Sequence, residues 1–245
     1  SIIIGVPNIL LLKQWHKTAS NIFDNIPFLL ISEGISSNTI KDFIINNKSC
    51  IIITTYASSY KVNKTNFIFD IKINDECHHL TSTNTESSDK NYIQMLKIKT
   101  IKQISLTATL KYLEGENNII SNDNKEYFGD IIIKKSLLWA INKNIVCDYV
   151  IQTIISNDIL FEIKNENDRR MLLSAYSALL SIYNNQSHHI LIYTNNRENT
   201  TKIVNFIQML LQNNYFIIND LYYCNYHSEM KKNEQKNILE EYLQE

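Results

Sequence analysis

Five short runs rich in β-branched and other apolar residues recur through the first 110 positions of this chain: "SIIIGVP", "PFLLISE", "CIIITTY", "FIFDIKIND" and "KQISLTAT". Between most of them lie stretches whose apolar residues fall at helical spacing, "NILLLKQWHKTASNIF", "NTIKDFIINN" and "NYIQMLK". Strands that alternate with helices predict an α/β fold with a mostly parallel sheet flanked by helices. The near-continuous apolar character of the first three runs fits strands covered on both faces.

After about residue 111 the pattern loosens. "KSLLWAINKNIVCDYVIQTII" reads as a helix followed by a strand. The alternation then resumes, with helices expected at "NDRRMLLSAYSALLSIYNN" and "ENTTKIVNFIQMLLQNN" and strands at "HHILIYTNN" and near "DLYYCNY". Two α/β units are expected: residues 1–140, a connection at 141–165, and residues 166–245.

The formal net charge is −1, so nothing in the overall balance attracts nucleic acid or an anionic membrane. Any nucleic-acid binding must come from local patches and backbone donors. Four dispersed cysteines, with no Cys-x-x-Cys pair, suit a reducing intracellular compartment, cytoplasmic or nuclear. The apolar runs are too short to span a bilayer. Ile, Asn and Lys make up more than a third of the chain, a bias that AT-rich codons write, so individual Asn and Lys residues are discounted as surface filler.

Chemistry concentrates at the ends of the predicted strands. "DECH" (Asp75 to His78) follows one run, "SLTAT" (Ser105 to Thr109) ends another, and Thr54 and Thr55 end a third. Open parallel sheets bind ligands at the carboxyl ends of their strands. There an Asp can hold Mg²⁺ and a neighbouring Glu can orient and deprotonate water beside a terminal phosphate. Zinc is disfavoured, because the adjacent His78 and His79 would point to opposite faces of a strand and lack a partner at ligand spacing. The pair His188 and His189 reads as a surface pair. Thr54 and Thr55 also suit ordinary strand ends, and Trp15 suits a helix core better than a base-stacking platform.

Taken together these stretches resemble a superfamily two helicase of the DExH type, in the subgroup of type III restriction enzymes and related DNA-repair helicases. The resemblance reads "VPNILLLKQW" as motif Ia, "ITTYAS" as Ib, "DECH" as II, "SLTAT" as III and "ILIYTNNRENT" as IV. "YFGDIIIKKSLLWAINKNIVCDY" resembles the passage between lobes, and "YHSEM" the loop after motif IV. It implies two RecA-like lobes that use ATP and Mg²⁺ to move along a nucleic-acid strand, DNA favoured over RNA. It implies Asp75 as metal carboxylate, Glu76 as base and His78 as their neighbour. Ser105, Thr107 and Thr109 would couple the nucleotide to the strand, and Pro7, Asn8, Thr54, Thr55, Tyr193 and Thr194 would meet it. No Gly-x-x-x-x-Gly-Lys-Ser/Thr occurs, and glycines at only 5, 34, 115 and 129 cannot build a phosphate loop. A fragment of a larger helicase, with further domains or subunits, is therefore expected, at home in an AT-rich genome such as that of a protist or a large DNA virus, whose replication site or virion would then hold it. The other reading is a non-catalytic nucleic-acid-binding or scaffold protein of helicase fold.

Overall fold

The computed structural model describes residues 1–82, 90–114, 119–151, 153 and 163–242. The chain divides into two compact units, Ser1–Ile145 and Val146–Glu245. The first is built on a five-stranded, wholly parallel sheet of order β2-β3-β1-β4-β5. Its strands are β1 (Ile2–Val6), β2 (Phe28–Ile31), β3 (Ile51–Thr55), β4 (Phe69–Asn74) and β5 (Thr100–Ser105). The first four strands fall within the runs read from the sequence, and β5 begins two residues ahead of its run, at Thr100. The helices α1 (Ile9–Ser20), α2 (Ser37–Asn46), α3 (Ser59–Asn63) and α4 (Lys90–Lys97) connect them. This is the α/β class expected, a parallel sheet with helices on its faces.

The apolar runs serve two cores at once. Ile4, Val6, Ile51 and Ile53 pack with Leu12 and Trp15 of α1 on one side of the sheet. Ile3, Ile52 and Phe69 pack with Ile40, Ile44, Val62 and Met95 from α2, α3 and α4 on the other. Alternate residues of one strand thus reach opposite layers. The edge strand β5 is far less covered, and Ile101 and Ile104 stand exposed.

Gly5 in β1 has no room for a side chain. A Cβ there would lie 2.8 Å from the Tyr56 ring and 2.7 Å from Met95 Cε. The Met tip can yield, but Tyr56 is fully buried and its hydroxyl is bonded to the Asp75 carbonyl. Gly5→Ala is therefore expected to cost about 1–3 kcal/mol by overpacking, read as a lower urea midpoint. A midpoint equal to that of the parent would refute it.

Short helices α5 (Lys125–Phe128) and α6 (Leu137–Asn142) complete the first unit. The second unit contains α7 (Glu166–Tyr183), α8 (Arg197–Gln212) and α9 (Lys232–Tyr242). Leu172, Ala175 and Leu179 of α7 pack against Ile203, Ile207 and Leu210 of α8. Asn199, buried in α8, is tied to Asn167 of α7 through a 2.7 Å side-chain bond.

The strands expected in this unit are corrected. Residues 188–196 and 220–226 carry no sheet pairing, and among the described residues the second unit has no strand. The apolar alternation at 190–194 is present, with Ile192 packed on the helical core and Leu191 and Tyr193 outward, but no neighbouring strand takes up the backbone groups. The strand expected after the helix in "KSLLWAINKNIVCDYVIQTII" is likewise not formed at 146–151, and residues 152, 154 and 155 lie outside the described residues.

Asparagine is not filler here. Asn8, Asn165 and Asn196 cap the N-termini of α1, α7 and α8 with their side-chain oxygens. Asn144, Asn185 and Asn214 take the left-handed position after α6, α7 and α8. After α7, Gln186 N–H bonds to Ser181 O and Asn185 N–H to Ile182 O, the paired closure of a Schellman motif. In a chain with four glycines, Asn does the work glycine usually does at helix ends. Among the described residues, no helix is long and apolar enough to cross a membrane.

Candidate nucleotide and strand site

The sheet order sets the site. With β3, β1, β4 and β5 side by side and parallel, their carboxyl ends form one row. Along it stand Thr54 and Thr55, then Pro7 and Asn8, then Asp75 and Glu76, then Ser105 and Thr107. The pairing of β4 with β5 runs on past the strands themselves. Leu106 N–H donates to Asn74 O at 2.8 Å and Cys77 N–H to Leu106 O at 2.9 Å. "DECH" and "SLTAT" are thereby locked against each other.

Asp75 is held on every side. Its N–H donates to Gly5 O at 2.9 Å, and its carbonyl accepts from the Tyr56 hydroxyl. Its carboxylate accepts from Trp15 Nε1 at Oδ2 (2.6 Å) and from the Glu76 N–H at Oδ1 (3.0 Å). Burial, and then the nearby Cys77, Asp75 and Glu76, push the Tyr56 phenol far above its ordinary pKa, so it stays a donor.

Glu76 turns the chain. Its φ of 51° is left-handed, and it is the one residue of that kind among the described residues that is neither Gly, Asn nor Asp. Such a conformation costs a residue with a Cβ on the order of 1 kcal/mol or more, and strain of this kind gathers at functional sites. The turn ends the strand and starts the 3₁₀ segment Cys77–Leu80.

His78 joins the two motifs. Its Nδ1 lies 2.9 Å from Thr107 Oγ1 and 3.4 Å from Glu76 Oε2. The Thr107 hydroxyl donates its one proton to Thr109 O at 2.9 Å. The proton between His78 and Thr107 therefore belongs to Nδ1, the tautomer that also suits the Glu76 carboxylate. Thr109 N–H closes the loop onto Thr107 Oγ1 at 3.2 Å. Ser105 Oγ, one strand end away, accepts from Asn74 Nδ2 at 3.4 Å. His79 stacks on His78 with ring centroids 4.3 Å apart, and burial, then the neighbouring His78, lowers its pKa.

The residues expected to touch a strand are placed less favourably. Thr54 is 0% exposed and its hydroxyl is spent on Thr55 O, and Thr55 is 5% exposed. As placed, neither offers a hydroxyl at the surface. Asn8 is exposed, but its side-chain oxygen caps α1 through Leu11 N–H. Tyr193, in the second unit, is 87% exposed, while Thr194 bonds to Thr200 and to Asn196 O.

Trp15 and Tyr56 are the contacts the sequence did not announce. Their one signal was position, Trp15 at the end of the stretch read as motif Ia, two turns into α1, and Tyr56 directly after Thr54 and Thr55. The hard oxygens of Asp75 and Glu76 fit Mg²⁺, which takes one or two carboxylates and keeps most of its waters. Among the described residues, no three His, Cys, Asp or Glu side chains gather in one place.

A row of polar strand ends on a parallel sheet, with His78 after the Asp-Glu pair bonded to Thr107 just past the neighbouring strand, fits a RecA-like α/β unit. Residues 1–112, a little under half of the chain, match the family described as "Type III restriction enzyme, res subunit". Among solved structures, the Pyrococcus furiosus Hef helicase domain is similar at 12% identity and a TM-score of 0.33. That match covers 87% of this chain and 44% of the Hef chain, so this chain spans less than half the length of that structure. No curated protein matches.

Proposed function

We propose that this chain is the nucleotide-responsive part of an ATP-dependent helicase or translocase, with residues 1–140 as the first RecA-like lobe and 166–245 as the first part of the second. The observation that carries the reading is the His78 to Thr107 bond, which joins the acidic pair to the hydroxyl-rich end of the adjacent strand. A change at Glu76 reaches Thr107 through one side chain.

Asp75 would hold Mg²⁺, and Glu76 would orient and deprotonate the attacking water. Bound Mg²⁺ would neutralise charge on the phosphates of ATP. His78 would pass the state of that site to Ser105, Thr107 and Thr109. The strand, DNA in preference to RNA, would lie along the row of strand ends, met by Pro7, Asn8 and the loops after β3, with Tyr193 and Thr194 on the second lobe. Because Thr54 and Thr55 are covered, their part in this requires the β3 end to open. The phosphate loop must come from outside these 245 residues, in the same polypeptide or in a partner, since no such motif lies within them.

The test is ATP hydrolysis by the loop-complemented protein with DNA, RNA or no strand. Hydrolysis stimulated by single strands, most by DNA, is expected. Strand binding with no hydrolysis under any condition would overturn this reading in favour of a scaffold of helicase fold.

A further inference from the structure

Asp75 has little freedom left except rotation of its carboxylate. Its backbone is fixed at both ends, N–H on Gly5 O and C=O on the Tyr56 hydroxyl. One further donor reaches the carboxylate from a distant side chain, the indole N–H of Trp15 at 2.6 Å from Oδ2. Trp15 is itself immobilised, half-buried against the core that α1 forms with β1 and β3.

We infer that Trp15 is a positioning residue for the carboxylate of Asp75, holding its plane so that the remaining lone pairs face an incoming divalent cation. The inference rests on the reading of Asp75 as the cation's ligand. A carboxylate has about four lone-pair sites. Trp15 and the Glu76 N–H occupy one on each oxygen, which leaves one on each for a cation or its waters. Without the indole, Oδ2 would have no fixed donor and the group would rotate, so the ordering cost would fall on cation binding. The same helix starts at Asn8, two turns before Trp15, so α1 links the turn after β1 to the orientation of this carboxylate.

The chain has two tryptophans, Trp15 and Trp139, hence two indole N–H resonances, and Trp139→Phe assigns them. In the ¹⁵N-labelled chain, Asp75→Asn should shift the Trp15 resonance and leave that of Trp139 in place. This step needs no change at Trp15. Mn²⁺, used as a paramagnetic probe, should broaden the Trp15 resonance before that of Trp139. Trp15→Phe should weaken Mn²⁺ binding on the order of three- to tenfold, the share expected of one hydrogen bond to a half-exposed charge. Trp139→Phe should leave it unchanged. If Asp75→Asn abolishes Mn²⁺ binding while Trp15→Phe leaves it intact, Trp15 positions nothing and the cation reading stands. If Mn²⁺ binds alike in the parent and in Asp75→Asn, the cation reading fails and the inference with it. A Trp15 resonance indifferent to Asp75→Asn would overturn the contact itself.

Discussion

Glu76→Gln is expected to reduce strand-stimulated ATP hydrolysis by about 10²- to 10⁴-fold in the loop-complemented protein, the range set by loss of a general base. The amide keeps the size of the carboxylate and the left-handed turn it sits in, so the 3₁₀ segment Cys77–Leu80 and the His78 to Thr107 bond should persist. Nucleotide should still bind, and strand affinity in the presence of ATP should be retained or raised. Asp75→Ala should behave differently. It removes the acceptor of Trp15 and the proposed cation ligand together, so Mg²⁺-nucleotide binding itself should weaken and ATP should no longer change strand affinity. Glu76→Gly separates strain from chemistry, because glycine accepts a φ of 51° without penalty and yet brings no base. It should be inactive but no less stable. Near-parent hydrolysis by Glu76→Gln would reduce "DECH" to a strand end that happens to carry two acids.

How much of this could be read in advance follows from which interactions are local. The five strands were legible as apolar runs, buried nearly throughout in Ile2–Val6 and Ile51–Thr55, and α1, α2 and α4 by the helical spacing of their apolar residues, whereas the five-residue α3 between β3 and β4 was not read. Their order in the sheet was not, since nothing within β1 says that it pairs with both β3 and β4. The polar strand ends were legible as residue types, and the sheet brings Asp75, Ser105 and Thr107 together. The burial of Thr54 and the bonds of Trp15 and Tyr56 to Asp75 span long separations and left no local trace. At 188–196 the alternation of Ile190, Ile192 and Thr194 with outward residues was real. Ile192 packs on the helices and Thr194 bonds to Thr200 of α8, which a period of two cannot distinguish from pairing in a sheet.

Lys72 looks out of place in β4 until its partners are counted in. It is 2% exposed, and its Nζ donates to Ile98 O at 2.9 Å, Leu96 O at 3.0 Å and Met95 O at 3.4 Å. These are carbonyls at the end of α4, where a helix runs out of its own donors. Burial pushes the amine down to about 8, against 10.5 unfolded. Below pH 8 both states hold the proton and stability does not respond. Above it the folded state releases the proton while the unfolded state keeps it, so stability rises with pH until about 10.5. Cys77, pushed up to about 11 by burial, and Cys50, also raised by burial, work in the opposite direction as the pH passes through 9, the ordinary thiol value. The parent and Lys72→Met share both thiols, so the difference between them isolates the amine, which should contribute about 1 kcal/mol to the parent from pH 8 to 9. Lys72→Met, which keeps the apolar stem and loses the amine, should abolish that gain. Lys72→Ala should cost about 3 kcal/mol at neutral pH, because it opens a cavity and takes the amine donor away from Leu96 O and Ile98 O. Urea midpoints of the three proteins at pH 7, 8 and 9 give both answers. An equal slope from 8 to 9 in the parent and in Lys72→Met would mean that another group carries the titration, and a neutral Lys72→Ala would mean that the α4 end finds its donors elsewhere.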